Sequence, residues 1–124
     1  MNKGLVYLIG AGPGDPGLLT IKARKVLEEA DVVVYDRLVG AEILAMANPQ
    51  AEFIYVGKIS GRHALPQEEI NRLLVEKAAR GQKVARLKGG DPFLYGRGGE
   101  EAVFVREHGL EFEIIPGITS AIAV

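Results

Sequence analysis

The sequence has no cysteine, and neither acidic nor basic residues dominate its charge. Without cysteine the chain can form no disulfide, no thiolate metal site and no cysteine nucleophile, a composition that fits a reducing cytoplasm. Lysine and arginine number 15 against 16 acidic residues, for a net charge of −1. No global field therefore favours nucleic acid or an anionic membrane, and any attraction for an anion must come from local clusters of basic side chains.

Long apolar runs are also missing, and runs such as residues 32–35 are far too short to cross a bilayer. Residues 1–4 lead directly into a strand-like run, so we expect no signal peptide. Of the 124 residues, 48% are apolar and 25% are charged. That balance is typical of one globular domain, which we expect to cover residues 1–124 and to be cytoplasmic.

Short apolar runs alternate with helical patterns along the chain. Strands are predicted over residues 5–9, 32–35, 53–56, 84–87 and 112–115, and helices over residues 18–30, 42–47, 66–80 and 101–108. This alternation predicts the α/β class, with a parallel sheet and helices on both of its faces. Residues 116–124 are typical of a strand-to-helix turn and one apolar helical turn, which suggests that the natural chain continues.

Ligands of an open parallel sheet bind beyond the carboxyl ends of its strands. Most of the 16 glycines fall in the loops that follow the predicted strands, where glycine lets the backbone approach a ligand closely. The same loops carry five cations, which we expect to converge on one rim: Arg37, Lys58, Arg62, Lys88 and Arg97. Each cation alone is explained more simply as solvated surface charge. Together they favour an anionic small-molecule substrate held by arginine–carboxylate pairs.

The first glycine loop, residues 10–17, is similar to a dinucleotide-binding turn because it follows a strand and precedes a helix. The pattern fails at its third glycine position, which Asp15 occupies. Pro13 and Pro16 also remove two backbone donors that a pyrophosphate would use. A dinucleotide-binding module is therefore the weaker alternative at this loop.

A second glycine turn, residues 89–92, places the Asp91 carboxylate beside glycine backbone. This arrangement fits a turn in which the aspartate caps its own backbone. It also fits a contact to the ribose or amino-acid portion of a ligand, and spacing alone leaves both interpretations open. His63 and His108 have no ligand-spaced partners in the sequence, so no metal site is expected.

Six blocks of sequence resemble the tetrapyrrole methylase family. In order, they are residues 10–20, residues 34–39, residues 57–58 with His63 and residues 66–71, residues 86–92, residues 96–101 and residues 116–121. They occur in the family's order and spacing over nearly the whole chain. Within the family they are most similar to the members that methylate uroporphyrinogen III, and another precorrin methyltransferase is the alternative.

The resemblance implies two dissimilar α/β domains with S-adenosylmethionine bound in the cleft between them. This chain would be the N-terminal domain alone, a five-stranded parallel sheet flanked by helices. The implied reaction of the full-length protein, commonly a homodimer, is C-methylation of uroporphyrinogen III to precorrin-2, with S-adenosylhomocysteine as the second product. An anionic tetrapyrrole would explain the basic rim. Because half of the cofactor cleft would be absent, we expect the isolated chain to be inactive.

The resemblance also implies residue roles by position. Asp36 and Lys58 match the family's proton acceptor and proton donor. The S-adenosylmethionine contacts match Pro13, Gly89, Gly90, Asp91, Leu94, Thr119 and Ser120, and the substrate side of the cleft matches Arg37, Arg97 and Glu100. Asp36 also fits a structural pair with Arg37 or a helix cap. Lys58 fits binding of a substrate carboxylate equally well, because an ordinary lysine with a pKa of about 10.4 is a poor proton source at neutral pH.

Overall fold

A computed structural model describes residues 4–10, 19–36, 39–57, 61, 63–88 and 98–115. The elements in chain order are β1 (Leu5–Gly10), α1 (Ile21–Glu29), β2 (Val32–Tyr35), α2 (Ala41–Leu44), β3 (Glu52–Tyr55), α3 (Gln67–Ala79), β4 (Lys83–Lys88), α4 (Gly98–Glu107) and β5 (Glu111–Ile115). The five strands form one parallel sheet in the order β3-β2-β4-β1-β5. The predicted α/β class and five-stranded parallel sheet are confirmed.

The sheet is covered on both faces because strand side chains alternate between two cores. On one face, Ile9 and Val33 pack with residues of α1 and α2. On the other face, Val6, Val34 and Val84 pack with residues of α3 and α4. Burial on both sides explains why β1 and β2 are nearly continuous apolar runs, which is the pattern of parallel sheets.

Strand β4 lies at the centre of the sheet between β1 and β2. Its pairing with β1 runs from Leu5 opposite Lys83 to Gly10 opposite Lys88. Its pairing with β2 ends with Val34 opposite Arg86. The carboxyl ends of these three neighbouring strands therefore meet at one edge of the sheet, which we call the carboxyl edge.

Two helices begin at points other than those predicted. Helix α1 starts at Ile21 and not at residue 18, because Thr20 is its N-cap and accepts a 3.1 Å hydrogen bond from the backbone N–H of Ala23. Helix α4 starts at Gly98 and not at residue 101, with two glutamates in its first turn. Carboxylates there are favoured by the positive end of the helix dipole.

The other boundaries follow the prediction closely. The helix predicted over residues 42–47 is the four-residue α2 followed by a turn. Helix α3 and the five strands lie within one residue of their predicted ends. The turn predicted over residues 116–124 lies outside the described residues. No helix in the described part of the chain is long and apolar enough to span a membrane.

Candidate functional site

The described residues at the carboxyl edge come from three neighbouring strands. Gly10 ends β1, Lys88 ends β4, and these two residues are register partners. Asp36 directly follows the last residue of β2. The glycine-rich segments that the sequence marks as ligand-binding leave the sheet from this edge, which is where parallel sheets bind their ligands.

Two of the predicted site residues, Asp36 and Glu100, are among the described residues. The others lie outside them: Pro13, Arg37, Lys58, Gly89, Gly90, Asp91, Leu94, Arg97, Thr119 and Ser120. Their roles remain predictions from the resemblance.

Asp36 is half-buried at the carboxyl edge. Its backbone carbonyl accepts a 3.2 Å hydrogen bond from the N–H of Val39, which closes the turn after β2. Burial lowers the pKa of Lys88, and the negative charge of Asp36 weakly opposes that shift, so the two side chains interact electrostatically. The position fits an acceptor of charge or of a proton at the edge where ligands bind.

Glu100 lies in the first turn of α4 and is exposed. It lines an open cavity of about 550 Å³ between α3 and α4. The remaining lining residues are Glu68, Asn71, Arg72, Gly99, Val103, Phe104 and Glu107. Glu100 therefore faces a groove between two helices, whereas Asp36 sits at the end of a strand.

A buried ionic group, which we call the Glu101 cluster, lies next to the carboxyl edge and comprises Gln67, Asn71, Arg86, Lys88 and Glu101. One carboxylate oxygen of Glu101 (Oε2) accepts hydrogen bonds from Nε of Arg86 at 3.2 Å and from Nε2 of Gln67 at 2.9 Å. The other oxygen (Oε1) lies 3.6 Å from Nζ of Lys88. Gln67 also donates to Oδ1 of Asn71 at 2.9 Å. The cluster thus joins α3, α4 and the end of β4.

Burial makes this cluster unusual for charged side chains. Glu101 is fully buried, and Arg86 and Lys88 are 4% and 8% exposed. At 3.6 Å, Lys88 makes an ion pair but not a hydrogen bond, so Oε1 of Glu101 has no hydrogen-bond partner among the described residues. A buried carboxylate with an unused acceptor is costly, and it is tolerated here because two cations face it.

The environment of Lys88 changes its proton affinity. Burial lowers the pKa of Lys88, the nearby Arg86 cation lowers it further, and the charges of Glu101 and Asp36 oppose that shift. Desolvation is the largest of these effects. Lys88 is therefore a desolvated lysine whose positive charge is favoured by the charges of Glu101 and, more weakly, of Asp36.

Comparison with known proteins decides the family. The model of the tetrapyrrole (corrin/porphyrin) methylases matches residues 5–124. The chain belongs to the tetrapyrrole methylase family. It is 62% identical over 120 residues to a uroporphyrinogen-III C-methyltransferase of Bacillus subtilis, covering 97% of this chain and 47% of that protein. It is 61% identical over 121 residues to the enzyme of that name from Methanocaldococcus jannaschii, covering 98% of this chain and 50% of the relative.

Solved structures of the family share the fold. A uroporphyrin-III C-methyltransferase from Thermus thermophilus, complexed with S-adenosylhomocysteine, is 55% identical, with a TM-score of 0.84 over 97% of this chain and 51% of that one. A cobalt precorrin-4 methyltransferase is 38% identical, with a TM-score of 0.84 over 96% of this chain and 48% of that one. The chain spans about a quarter to a half of the length of its curated relatives, from 25% of a siroheme synthase of Pseudomonas putida to the 50% given above.

In this member of the methylase family, Lys88 differs from the sequence-based expectation. The sequence predicted Lys88 on a basic rim with four other cations, which lie outside the described residues. Lys88 is instead buried and paired with Glu101, because the Glu101 side chain of α4 reaches the end of β4. It is therefore not an exposed anion-binding cation in the described structure.

The Glu101 cluster had no predicted role, although the sequence carries a signal for it. Arg86 and Lys88 are two residues apart on β4, so they share one face of a central strand. Two cations on a buried strand face require a buried carboxylate nearby. Which of the 16 acidic residues supplies it depends on how α4 packs, and that packing is not visible in local sequence.

Proposed function

We propose that the full-length protein is an S-adenosylmethionine-dependent C-methyltransferase that converts uroporphyrinogen III to precorrin-2, and that this chain is its N-terminal domain. The observation that carries the proposal is the 58–62% identity to curated uroporphyrinogen-III C-methyltransferases over nearly the whole chain. The fold supports it, because the parallel sheet presents Asp36 and the segment after Lys88 at one ligand-binding edge.

S-adenosylmethionine supplies a methyl group on a sulfonium when it is bound. The residues proposed to hold it are Pro13, Gly89, Gly90, Asp91, Leu94, Thr119 and Ser120. The chain fits such a ligand in two respects: glycine-rich segments follow the strand ends, and a half-buried carboxylate lies at the same edge. The protein's contribution is then to align the attacking carbon with the methyl group, because an electron-rich pyrrole carbon needs positioning more than activation.

Asp36 is proposed as the proton acceptor. Methylation of a pyrrole carbon leaves a cationic ring that must lose a proton to restore the conjugated product. A carboxylate at the carboxyl edge can accept that proton or stabilise the positive charge until it leaves. The described position of Asp36 supports this role, and Lys58 is proposed as its partner, as proton donor or as a ligand for a substrate carboxylate.

Arginines are proposed to hold the substrate through its carboxylates. Arg37 and Arg97 provide planar groups that can bind a carboxylate through two hydrogen bonds, and Glu100 completes the proposed substrate side. We further propose that the full-length protein is a cytoplasmic homodimer. The isolated chain would be inactive, because half of the cofactor cleft would come from a second domain.

The test is a product assay with the full-length protein, uroporphyrinogen III and S-adenosylmethionine. We expect two methyl transfers and formation of precorrin-2, whereas the isolated chain should transfer none. Absence of methylation by the full-length protein would overturn the proposed activity. Methylation by the isolated chain would overturn the two-domain requirement.

A matched pair of substitutions tests the substrate side of the site. Arg97→Ala in the full-length protein should reduce turnover of the tetrapyrrole strongly and leave the affinity for S-adenosylhomocysteine nearly unchanged. Arg80→Ala removes an arginine from the exposed end of α3 and should change neither quantity. An equal loss of cofactor affinity in Arg97→Ala, measured by calorimetry, would contradict the placement of this residue.

A second candidate function is methylation of a later precorrin, favoured by the TM-score of 0.84 to the cobalt precorrin-4 methyltransferase. The same product assay, run with precorrin substrates in parallel, separates the two activities. Membership of the methylase family removes the support for the dinucleotide-binding alternative. Nucleotide absorbance in the purified protein would restore it.

A further inference from the structure

Lys88 ends β4, and Asp36 directly follows the last residue of the neighbouring strand β2. The pairing of β2 with β4 sets Val32 opposite Val84 and Val34 opposite Arg86. Continuing that parallel register by two residues sets Asp36 opposite Lys88. Asp36 is two residues beyond Val34, and Lys88 is two residues beyond Arg86. Because side chains alternate between the two faces of a sheet, we expect both side chains on the same face.

The charges of the Glu101 cluster do not balance within the cluster. Arg86 and Lys88 contribute two positive charges, and Glu101 contributes one negative charge. The three side chains are nearly or completely buried, so water screens the surplus positive charge poorly. Among the described residues, the carboxylate that acts on Lys88 from outside the cluster is Asp36. Over these four described side chains, Asp36 brings the sum of the charges to zero.

The two cations are not equivalent within this arrangement. Arg86 is anchored on both sides, since it donates to Glu101 and also to the backbone carbonyl of Leu87 at 3.3 Å. Lys88 lies at the end of β4 and makes its ion pair with Glu101 at the longer distance of 3.6 Å. Lys88 is therefore held less tightly than Arg86, and it is the cation of this pair that lies at the carboxyl edge.

We propose that Lys88, held in place by Glu101, is a positioning residue for methyl transfer that orients the Asp36 carboxylate by direct charge attraction. The proposal rests on the proposed function, since it requires Asp36 to act on the reacting tetrapyrrole. Lys88 itself does not touch substrate in this arrangement. Glu101 holds the lysine side chain from the buried side, and Lys88 in turn orients the Asp36 carboxylate at the ligand-binding edge.

The first test is Lys88→Met in the full-length protein. Methionine keeps much of the apolar volume of the lysine stem, and its removal of one charge leaves Arg86 and Glu101 as a neutral buried pair, so the fold should persist. We expect kcat to fall about tenfold or more, since this is the scale of a lost interaction that acts only in the transition state. The KM for uroporphyrinogen III and the Kd for S-adenosylhomocysteine should change less than about twofold.

Two comparison variants control this measurement. Lys83→Met removes a lysine from the exposed start of the same strand and should leave kcat unchanged. Lys88→Arg keeps the positive charge and should recover part of the lost kcat. A normal kcat in Lys88→Met, or a parallel loss of cofactor affinity, would overturn the proposal in favour of a purely structural lysine.

A double-mutant cycle with Asp36→Asn separates positioning from general damage. If Lys88 acts through Asp36, Lys88→Met should lower kcat much less in the Asp36→Asn background than in the unmodified protein. Equal fold losses in both backgrounds would refute the coupling. Should Asp36→Asn show no measurable turnover, the split between kcat and the two binding constants in Lys88→Met decides the question.

The outcome also distinguishes this inference from the proposed function. If the unmodified full-length protein does not methylate uroporphyrinogen III, the proposed function fails. If it does, and the two substitutions behave independently, only the positioning role of Lys88 fails.

Discussion

Replacing Glu101 by glutamine should destabilise this domain far more than its small change in shape implies. The side chain keeps its size and one carbonyl oxygen, but it loses the negative charge that faces Arg86 at 3.2 Å and Lys88 at 3.6 Å. The new amide must also present the correct atom to Gln67, which now donates to Oε2 at 2.9 Å. The substitution therefore leaves two buried cations without their shared counter-charge.

The magnitude follows from the burial of the group. Removing one partner of a buried ion pair costs about 3–5 kcal/mol, because the remaining charge stays desolvated. Arg86 and Lys88 also repel each other once the carboxylate is gone. Domains of ordinary size unfold with free energies of about 5–15 kcal/mol, so Glu101→Gln should remove a large share of the stability.

Glu76→Gln is the matched control because it is the same substitution at another glutamate paired with an arginine. Oε1 of Glu76 lies 2.8 Å from Nη2 of Arg80, closer than Glu101 lies to Arg86. Both side chains of this control pair are more than half exposed. A pair of this kind on a helix surface contributes about 0.3–0.5 kcal/mol. The shorter ion pair should therefore be the weaker one.

Urea unfolding at 25 °C measures both effects in the same chain. Circular dichroism and the fluorescence of its four tyrosines should give coincident transitions, which establishes two-state behaviour. We expect the urea midpoint of Glu101→Gln to fall strongly, to the extent that part of the protein unfolds without urea. The midpoint of Glu76→Gln should hardly change. Similar midpoints for the two variants would refute the argument that burial, and not distance, determines the strength of these pairs.

Three further predictions use the same urea measurement. Gly4→Ala should destabilise the chain by about 1–3 kcal/mol or more, since the added Cβ would clash with the backbone carbonyl oxygen of Gln82. Thr20→Ala should cost about 1 kcal/mol by removing the N-cap of α1, whereas Thr20→Ser should cost little. Burial, and then the charge of Glu113, raise the pKa of Tyr7 above 10.0. The stability that protonated Tyr7 contributes is constant below pH 10 and is lost as pH rises above it, so Tyr7→Phe should show a smaller alkaline loss than the unmodified chain.

Most of the fold could be predicted from the sequence because apolar spacing reports burial directly. Strands such as Val32–Tyr35 are short apolar runs, and α3 carries Ile70, Leu74 and Ala78 on its buried side. Helix ends were harder to predict. Leu19 extends the apolar pattern of α1 past its cap at Thr20, and the glycine at position 99 conceals the start of α4 because glycine is a poor helix former.

Site residues could be predicted from the sequence only where the residue type and its place after a strand are enough to locate the side chain. Asp36 was predicted at a strand end, and the parallel topology places it at the carboxyl edge. The pairing of Lys88 with Glu101 depends on the packing of α4 over the sheet, which no local pattern encodes. The close approach of Gly4 to Gln82 likewise joins segments that are far apart in sequence.

The Glu101 cluster is poorly explained by stability alone. Replacing a buried ion pair by well-packed apolar residues is often neutral or stabilising, so a fold gains little by keeping one. A cluster that served only to attach α4 to β4 would also need just one cation for its one carboxylate. The second cation is Lys88, which ends β4 at the ligand-binding edge, where the charge of Asp36 acts on it. Glu101 and Arg86 then account for the attachment of the helix, and we propose that the positive charge of Lys88 acts at the carboxyl edge.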